Sequence, residues 1–200
     1  MITLGIDPGA SNGAAVVVDM SSRRALAVVA WATPARATKV NPGRRVVVTT
    51  WRVGMDEPAS WQQLHPVPGP LSLVVAAVEA LAANGAIVGL DAAAVEAIIV
   101  HRATSRRDAL ALAESAGACA YVAGTLAPVV LRPEASEWRR AVGVPLKPAA
   151  LCATVARALV GDTTVRVRMP VRLGGLPAAL ARVDHVADAA LIAEWAGITS

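Results

Sequence analysis

The first third of the chain alternates short apolar runs with turn sequences. Ile2 to Ile6 is apolar and ends at Asp7; Pro8-Gly9 and Ser11-Asn12-Gly13 then supply turn chemistry. A second run, Ala14 to Val18, ends at Asp19. Ser21-Ser22-Arg23-Arg24 turns the chain, and Ala25 to Thr33 forms a third run. Three short runs with tight connections predict an antiparallel meander. Residues 34–70 break the pattern with Pro34, Pro42, Pro58, Pro66, Pro68 and Pro70. Arg45 to Val53 fits one more strand there, and the stretch reads as an insertion or extended hairpin, partly irregular.

Leu71 to Ala83 places Leu71, Val74, Val75, Val78, Leu81 and Ala82 at helical spacing, and Asn84-Gly85 ends that helix. Two apolar runs follow, Ala86 to Leu90 and Ala93 to Val100. The second holds Glu96 among Val95, Ile98, Ile99 and Val100, β-branched company that predicts a buried strand. Ser105 to Gly117 predicts a helix with Ser105 as N-cap and Asp108 in its first turn; Ala118 to Ala123 either extends it or begins a loop. Val129 to Arg132 reads as a strand stopped by Pro133, and Glu134 to Val142 as a short helix closed by Gly143. Pro148 to Val160 is expected to be helical up to Gly161, Thr163 to Met169 extended, and Arg182 to Ala196 a final helix with Asp184 near its N-cap. The order β-β-β-α-β-α-β-α predicts one α/β domain over residues 1–200, with a mixed five-stranded sheet, helices on both faces and a proline-rich hairpin insertion at 34–70.

Composition narrows the class. Hydrophobic residues are 55% and charged residues 17% of 200, which excludes general disorder. Mean hydropathy is high at +0.51. The best apolar run, Leu71 to Ala83, contains Glu79 and falls short of the roughly 20 residues a bilayer requires, so no membrane association is expected. No basic stretch precedes the first run and Asp7 interrupts it, so a signal peptide is not expected and the chain reads as cytoplasmic. Cys119 and Cys152 match no disulfide framework or paired metal spacing and read as buried thiols. The net charge is +4, and of 19 basic residues only Lys39 and Lys147 are lysine. Arginine presents a planar fork to phosphate, which raises the expectation of nucleic-acid binding; a GC-rich genome would give the same bias.

With few acids in the chain, those in apolar surroundings stand out. Asp7 ends a strand, Glu96 lies inside one, and Asp184, His185 and Asp188 open an apolar helix. Buried carboxylates are costly unless paired or bound to a cation, so a shared cation accounts for them; separate caps and surface positions account for them too, most readily at Asp184. His185 and Asp184 lie three and four residues before Asp188, and either spacing returns to one helix face. Carboxylate oxygens suit Mg²⁺ or Mn²⁺, and a histidine tilts the set toward Mn²⁺.

These residues carry a family resemblance. Leu4-Gly5-Ile6-Asp7-Pro8-Gly9 with Gly13 resembles the first strand and turn of RuvC-like Holliday-junction resolvases. Ala94-Val95-Glu96 with Ile98-Ile99-Val100 resembles their second acidic strand. Asp184-His185-Val186-Ala187-Asp188-Ala189 with Leu191-Ile192-Ala193 resembles their C-terminal acidic helix. The resemblance covers most of the chain except residues 34–70 and implies the ribonuclease-H-like fold. It implies two divalent ions, Mg²⁺ or Mn²⁺, held by Asp7, Glu96, His185 and Asp188, with Asp184 as a cap or substitute ligand. It implies hydrolysis of a DNA phosphodiester, with Asp7 bridging the ions, Glu96 on one ion, and His185 with Asp188 on the other. Trp138-Arg139-Arg140 to Gly143 and Lys147 resembles the family's basic segment, with Lys147 contacting the scissile phosphate. Arg102, Arg106 and Arg107, just after the Glu96 strand, are expected to track the DNA backbone.

The implied substrate is branched DNA, foremost a four-way junction, and its symmetry implies a homodimer. The apolar faces of the helices at 71–83 and 105–117 are candidates for the dimer contact or for the core. Two departures point toward divergent, phage-type members with broader substrates. Ile99 stands where bacterial members carry a stacking aromatic, in a chain with no Phe, and the proline-rich insertion has no counterpart. Flap or fork cleavage is therefore the main alternative, followed by a non-catalytic nucleic-acid-binding module of the same fold. An actin- or hexokinase-like phosphate-binding domain shares the opening motif but needs a second phosphate loop, which this sequence lacks.

Overall fold

The computed structural model describes residues 1–9, 12–32, 45–64, 69–98, 105–142, 180 and 183–200. Three antiparallel strands come first: β1 (Ile2–Asp7), β2 (Asn12–Asp19) and β3 (Arg24–Ala32). Two more, β4 (Arg45–Arg52) and β5 (Ala59–Leu64), pair antiparallel and extend the sheet beyond β3. The turn between them places Gly54 at φ +90°, a left-handed conformation that glycine adopts without a Cβ clash. The chain then runs through α1 (Gly69–Ala83), β6 (Ala92–Val95), α2 (Arg106–Leu126), β7 (Val130–Leu131), α3 (Ala135–Val142) and α4 (Asp184–Thr199).

The sheet order is β5-β4-β3-β2-β1-β6-β7, with β6 parallel to β1 and β7 parallel to β6. Among the described residues it has seven strands, where five and a hairpin insertion were expected; the proline-rich stretch contributes β4 and β5, which join the sheet. The Ala86–Leu90 run is not a strand; it forms the turn from α1 to β6. The strand expected over 93–100 ends at Val95; among the described residues beyond it, up to residue 98, Ala97 makes a bridge to Glu134. The helix and extended segment expected at 148–160 and 163–169 lie outside the described residues.

Alternation along the strands sorts side chains onto two faces. Leu4, Ile6, Ala15, Val17, Val29 and Val48 face α1 and α2. Ala14, Val16, Val18, Val28 and Ala94 face α3 and α4. The apolar face of α1, carrying Leu71, Val74, Val78 and Leu81, is buried core. Helix α2 runs to Leu126, which assigns Ala118–Ala123 to the helix, and Ser105 caps it as expected by accepting from the Asp108 N–H. Among the described residues, α2 is the one helix long and apolar enough to cross a membrane by length and hydropathy. It carries Glu114 mid-helix, however, and lays Ser115, Ala116, Cys119 and Ala123 against the sheet.

Helix α4 crosses β1 at Gly5. A Cβ there would lie 2.0 Å from the Ala189 carbonyl oxygen and 2.3 Å from the Ala193 nitrogen. Glycine permits this backbone-to-backbone approach, and it fixes the start of α4 near the end of β1.

Candidate active site

Asp7 is the last residue of β1, an interior strand between β2 and β6. The Trp31 indole N–H donates to the Gly9 carbonyl at 3.1 Å, which anchors the turn just after it. Glu96 follows β6, and its N–H donates to the Ile6 carbonyl at 3.1 Å, so the two acids leave adjacent parallel strands side by side. Helix α4 begins at the same end. Its N-cap is Val183, which makes no side-chain cap bond; Asp184 is the first helical residue and is exposed, not the N-cap its residue type suggests. His185 and Asp188 lie on the side of α4 toward the strand ends.

The closest contact is between His185 Nδ1 and Asp7 Oδ2, at 2.5 Å. That hydrogen bond, reinforced by the charges of Asp7, Asp188 and Asp184, raises the His185 pKa above its ordinary 6.5 against the opposing effect of burial. Burial, then the like charges of Asp7 and Asp188, push the Glu96 carboxyl up to about 7. Arg139 and the Trp138 indole oppose that rise. The Trp138 Nε1 is buried beside Glu96. Arg139 Nη2 lies 3.7 Å from Asp188 Oδ2.

The structure thus gathers Asp7, Glu96, His185 and Asp188 where β1 and β6 end. Their chemistry fits a hard divalent cation: three carboxylates and one imidazole, with mutual repulsion at Glu96 that a cation would relieve. The set is not closed, however. Among the described residues no three Asp, Glu, His or Cys side chains are grouped tightly enough to hold an ion as they stand. Asp7 is engaged by His185 and Asp188 by Arg139.

The expected DNA-contacting residues divide. Arg106 and Arg107 are exposed at the start of α2, and Arg140 is exposed on α3. Arg139 is turned inward onto Asp188, which its place in a basic segment did not predict. Arg102 and Lys147 lie outside the described residues, as does Ile99. A groove of about 430 Å³ opens beside His185, lined by Asn12, Trp31, Thr49, Val183 and Asp184 among others. The sequence signalled neither this groove nor the Trp31 clamp; a lone Trp at the end of an apolar strand was the only available hint.

No protein-family model matches the chain, and no curated protein matches it. Among solved structures, the chain is similar to Thermus thermophilus RuvC in complex with a Holliday junction substrate, at 18% identity and a TM-score of 0.46, covering 97% of this chain and 91% of that one. A second structure of Thermus thermophilus RuvC aligns at 18% identity and a TM-score of 0.44, covering 97% and 92%.

Proposed function

We propose that this chain is a metal-dependent endonuclease of branched DNA that resolves four-way junctions by paired nicks. The observation that carries the reading is the meeting of Asp7, Glu96, His185 and Asp188, from three distant parts of the sequence, where β1 and β6 end. Asp7 would bridge two ions, Mg²⁺ or Mn²⁺, with Glu96 on one and His185 with Asp188 on the other. Bound there, the ions would polarise the phosphodiester and activate an attacking water. The side chains must first be readied. His185 must be neutral to ligate, and Glu96 must ionise despite its burial.

Arg106, Arg107 and Arg140 stand exposed to meet backbone phosphates, and Arg102 and Lys147 complete the proposed basic set. Helix α2 exposes Leu110 (55%) and Tyr121 (75%) on its outer face, which supports a homodimer through α2. The buried apolar face of α1 is not part of that contact. The proposed setting is the bacterial cytoplasm, with a phage-encoded origin compatible.

The test is a nicking assay on four-way junctions, flaps, forks and linear duplex with Mg²⁺ or Mn²⁺. The reading predicts paired, symmetric nicks in the junction. Cutting confined to flaps or forks would favour the second reading, which the absence of any Phe for base stacking supports. No cutting of any substrate with either ion would overturn both.

A further inference from the structure

Arg139 sits among the proposed ligands without being one. Helix α3 is tied to the segment beyond Glu96, because the Ala97 N–H donates to the Pro133 carbonyl at 2.8 Å and Ala97 bridges to Glu134. Trp138 is fully buried in the core shared with α4. The Arg139 guanidinium carbon lies 4.8 Å from the centroid of the Trp138 ring, so the indole carries the guanidinium as a cation–π platform. From there Nη2 reaches Asp188 at 3.7 Å, a charge contact longer than a hydrogen bond. The other edge of the group, Nε, is buried and has no hydrogen-bond partner. A buried donor without an acceptor marks an arrangement that is not the best available to this side chain. The same guanidinium lowers the cost of ionising Glu96. One fixed positive charge thus serves two of the acids that a divalent ion would need.

We infer that Arg139 is a positioning residue, a built-in counter-cation that holds Asp188 while the site is metal-free and must release it before the ligands close around an ion. This rests on the metal-site reading above. Two cations in one small acidic site repel, so Arg139 works against ion entry and sets the ion concentration at which the site closes. The weak contact to Asp188 lets the release occur, and the Trp138 ring keeps the guanidinium nearby afterwards. In this arrangement Arg139 acts through Asp188 and is not primarily a backbone-phosphate contact.

The experiment is Mn²⁺ titration calorimetry of the full chain without DNA, for wild type, Arg139→Gln and Arg139→Lys. Removing one partly exposed counter-charge should tighten Mn²⁺ binding by roughly threefold to tenfold in Arg139→Gln. Arg139→Lys, which keeps the charge, should stay near wild type. The melting temperature without metal should fall in Arg139→Gln, and its rise on saturation with Mn²⁺ should exceed that of wild type. Equal or weaker Mn²⁺ binding by Arg139→Gln overturns the inference and leaves the metal site standing. Absence of binding by wild type and both variants overturns the metal-site reading and the inference with it. Should Arg139→Gln fail to fold, wild-type protein labelled with ¹⁵N-arginine serves instead. The Arg139 Nε–H resonance, assigned by its loss in Arg139→Lys, should shift on adding Mg²⁺, and an unmoved resonance overturns the inference.

Discussion

Replacing Gly5 by alanine tests how the fold delivers the site. The added Cβ would stand 2.0 Å from the Ala189 oxygen, 2.3 Å from the Ala193 nitrogen and 2.9 Å from the Ala193 Cα, all backbone atoms. A rotamer change cannot relieve them, because they belong to a helix seated on the sheet. Tight Cβ contacts begin near 3.0–3.4 Å, so α4 must lift from β1 by more than about 1 Å. Overpacking of this kind costs about 1–3 kcal/mol, and rigid backbone on both sides argues for the upper end. In a chain of 200 residues about 3 kcal/mol lowers Tm by roughly 6–12 °C. The same lift moves His185 and Asp188 away from Asp7, whose contact with His185 is now 2.5 Å. Urea and thermal denaturation with and without Mn²⁺ read both effects: Gly5→Ala should be less stable, and Mn²⁺ should no longer raise its Tm. A variant that melts within about a degree of the parent and is still stabilised by Mn²⁺ would refute the packing argument.

Three further outcomes follow from the same structure. Glu194 on α4 is 3% exposed, its Oε2 lacks a partner, and burial pushes its carboxyl from 4.5 up to about 7, partly offset by Arg23. Its neutral form is the one the fold accepts. This stability is therefore fully present below about pH 4.5 and is lost as pH rises through 7, by about 3 kcal/mol; Glu194→Gln should flatten the decline between pH 5 and 8.5 in urea melts, and an unchanged decline would contradict it. His185→Ala should abolish cleavage while Asp184→Asn, at an exposed helix start, should be mild. Because both His185 and Glu96 hold their protons above the ordinary pH, Mn²⁺ binding by wild type should weaken as pH falls below 7, and binding that does not change between pH 8 and 5.5 would contradict it; the reverse mutational pattern would move the ligand to Asp184. Junction affinity should fall with salt at a log–log slope near −0.9 per neutralised phosphate, and a flat response would exclude backbone contact by the arginines.

The parts of the fold written in local sequence were legible. The β1–β2–β3 meander follows from apolar runs broken by Pro8-Gly9 and Ser21 to Arg24, and the Ser105 cap from residue type alone. Strand β5 was hidden because Ala59–Leu64 shows no apolar alternation and lies among prolines; its partner β4 supplies the order. Among the described residues the expected strand over 93–100 ends at Val95, because its partner β1 ends just beyond their last pair and β7 pairs with it no further than Ala94. At the site, Asp7, Glu96 and Asp188 stood out as acids in apolar company. That Asp7 bonds directly to His185, 178 residues away, depends on α4 crossing β1 at Gly5, a tertiary fact with no local signature. Arg139 looked like one more basic residue of a DNA-facing segment, and only the placement of Trp138 turns it inward.

The most direct test of the nuclease reading is Asp7→Asn, which keeps the side-chain shape and removes one ligand charge from the centre of the acidic set. Cleavage of a four-way junction would be followed alongside junction binding, in Mg²⁺ and in Mn²⁺, for the wild type and this variant. The expected outcome is divalent-ion-dependent nicking by wild type, loss of cleavage by orders of magnitude in Asp7→Asn, and junction affinity within a few-fold of wild type. Full cleavage by Asp7→Asn, or wild-type cleavage that persists in excess chelator, would contradict it.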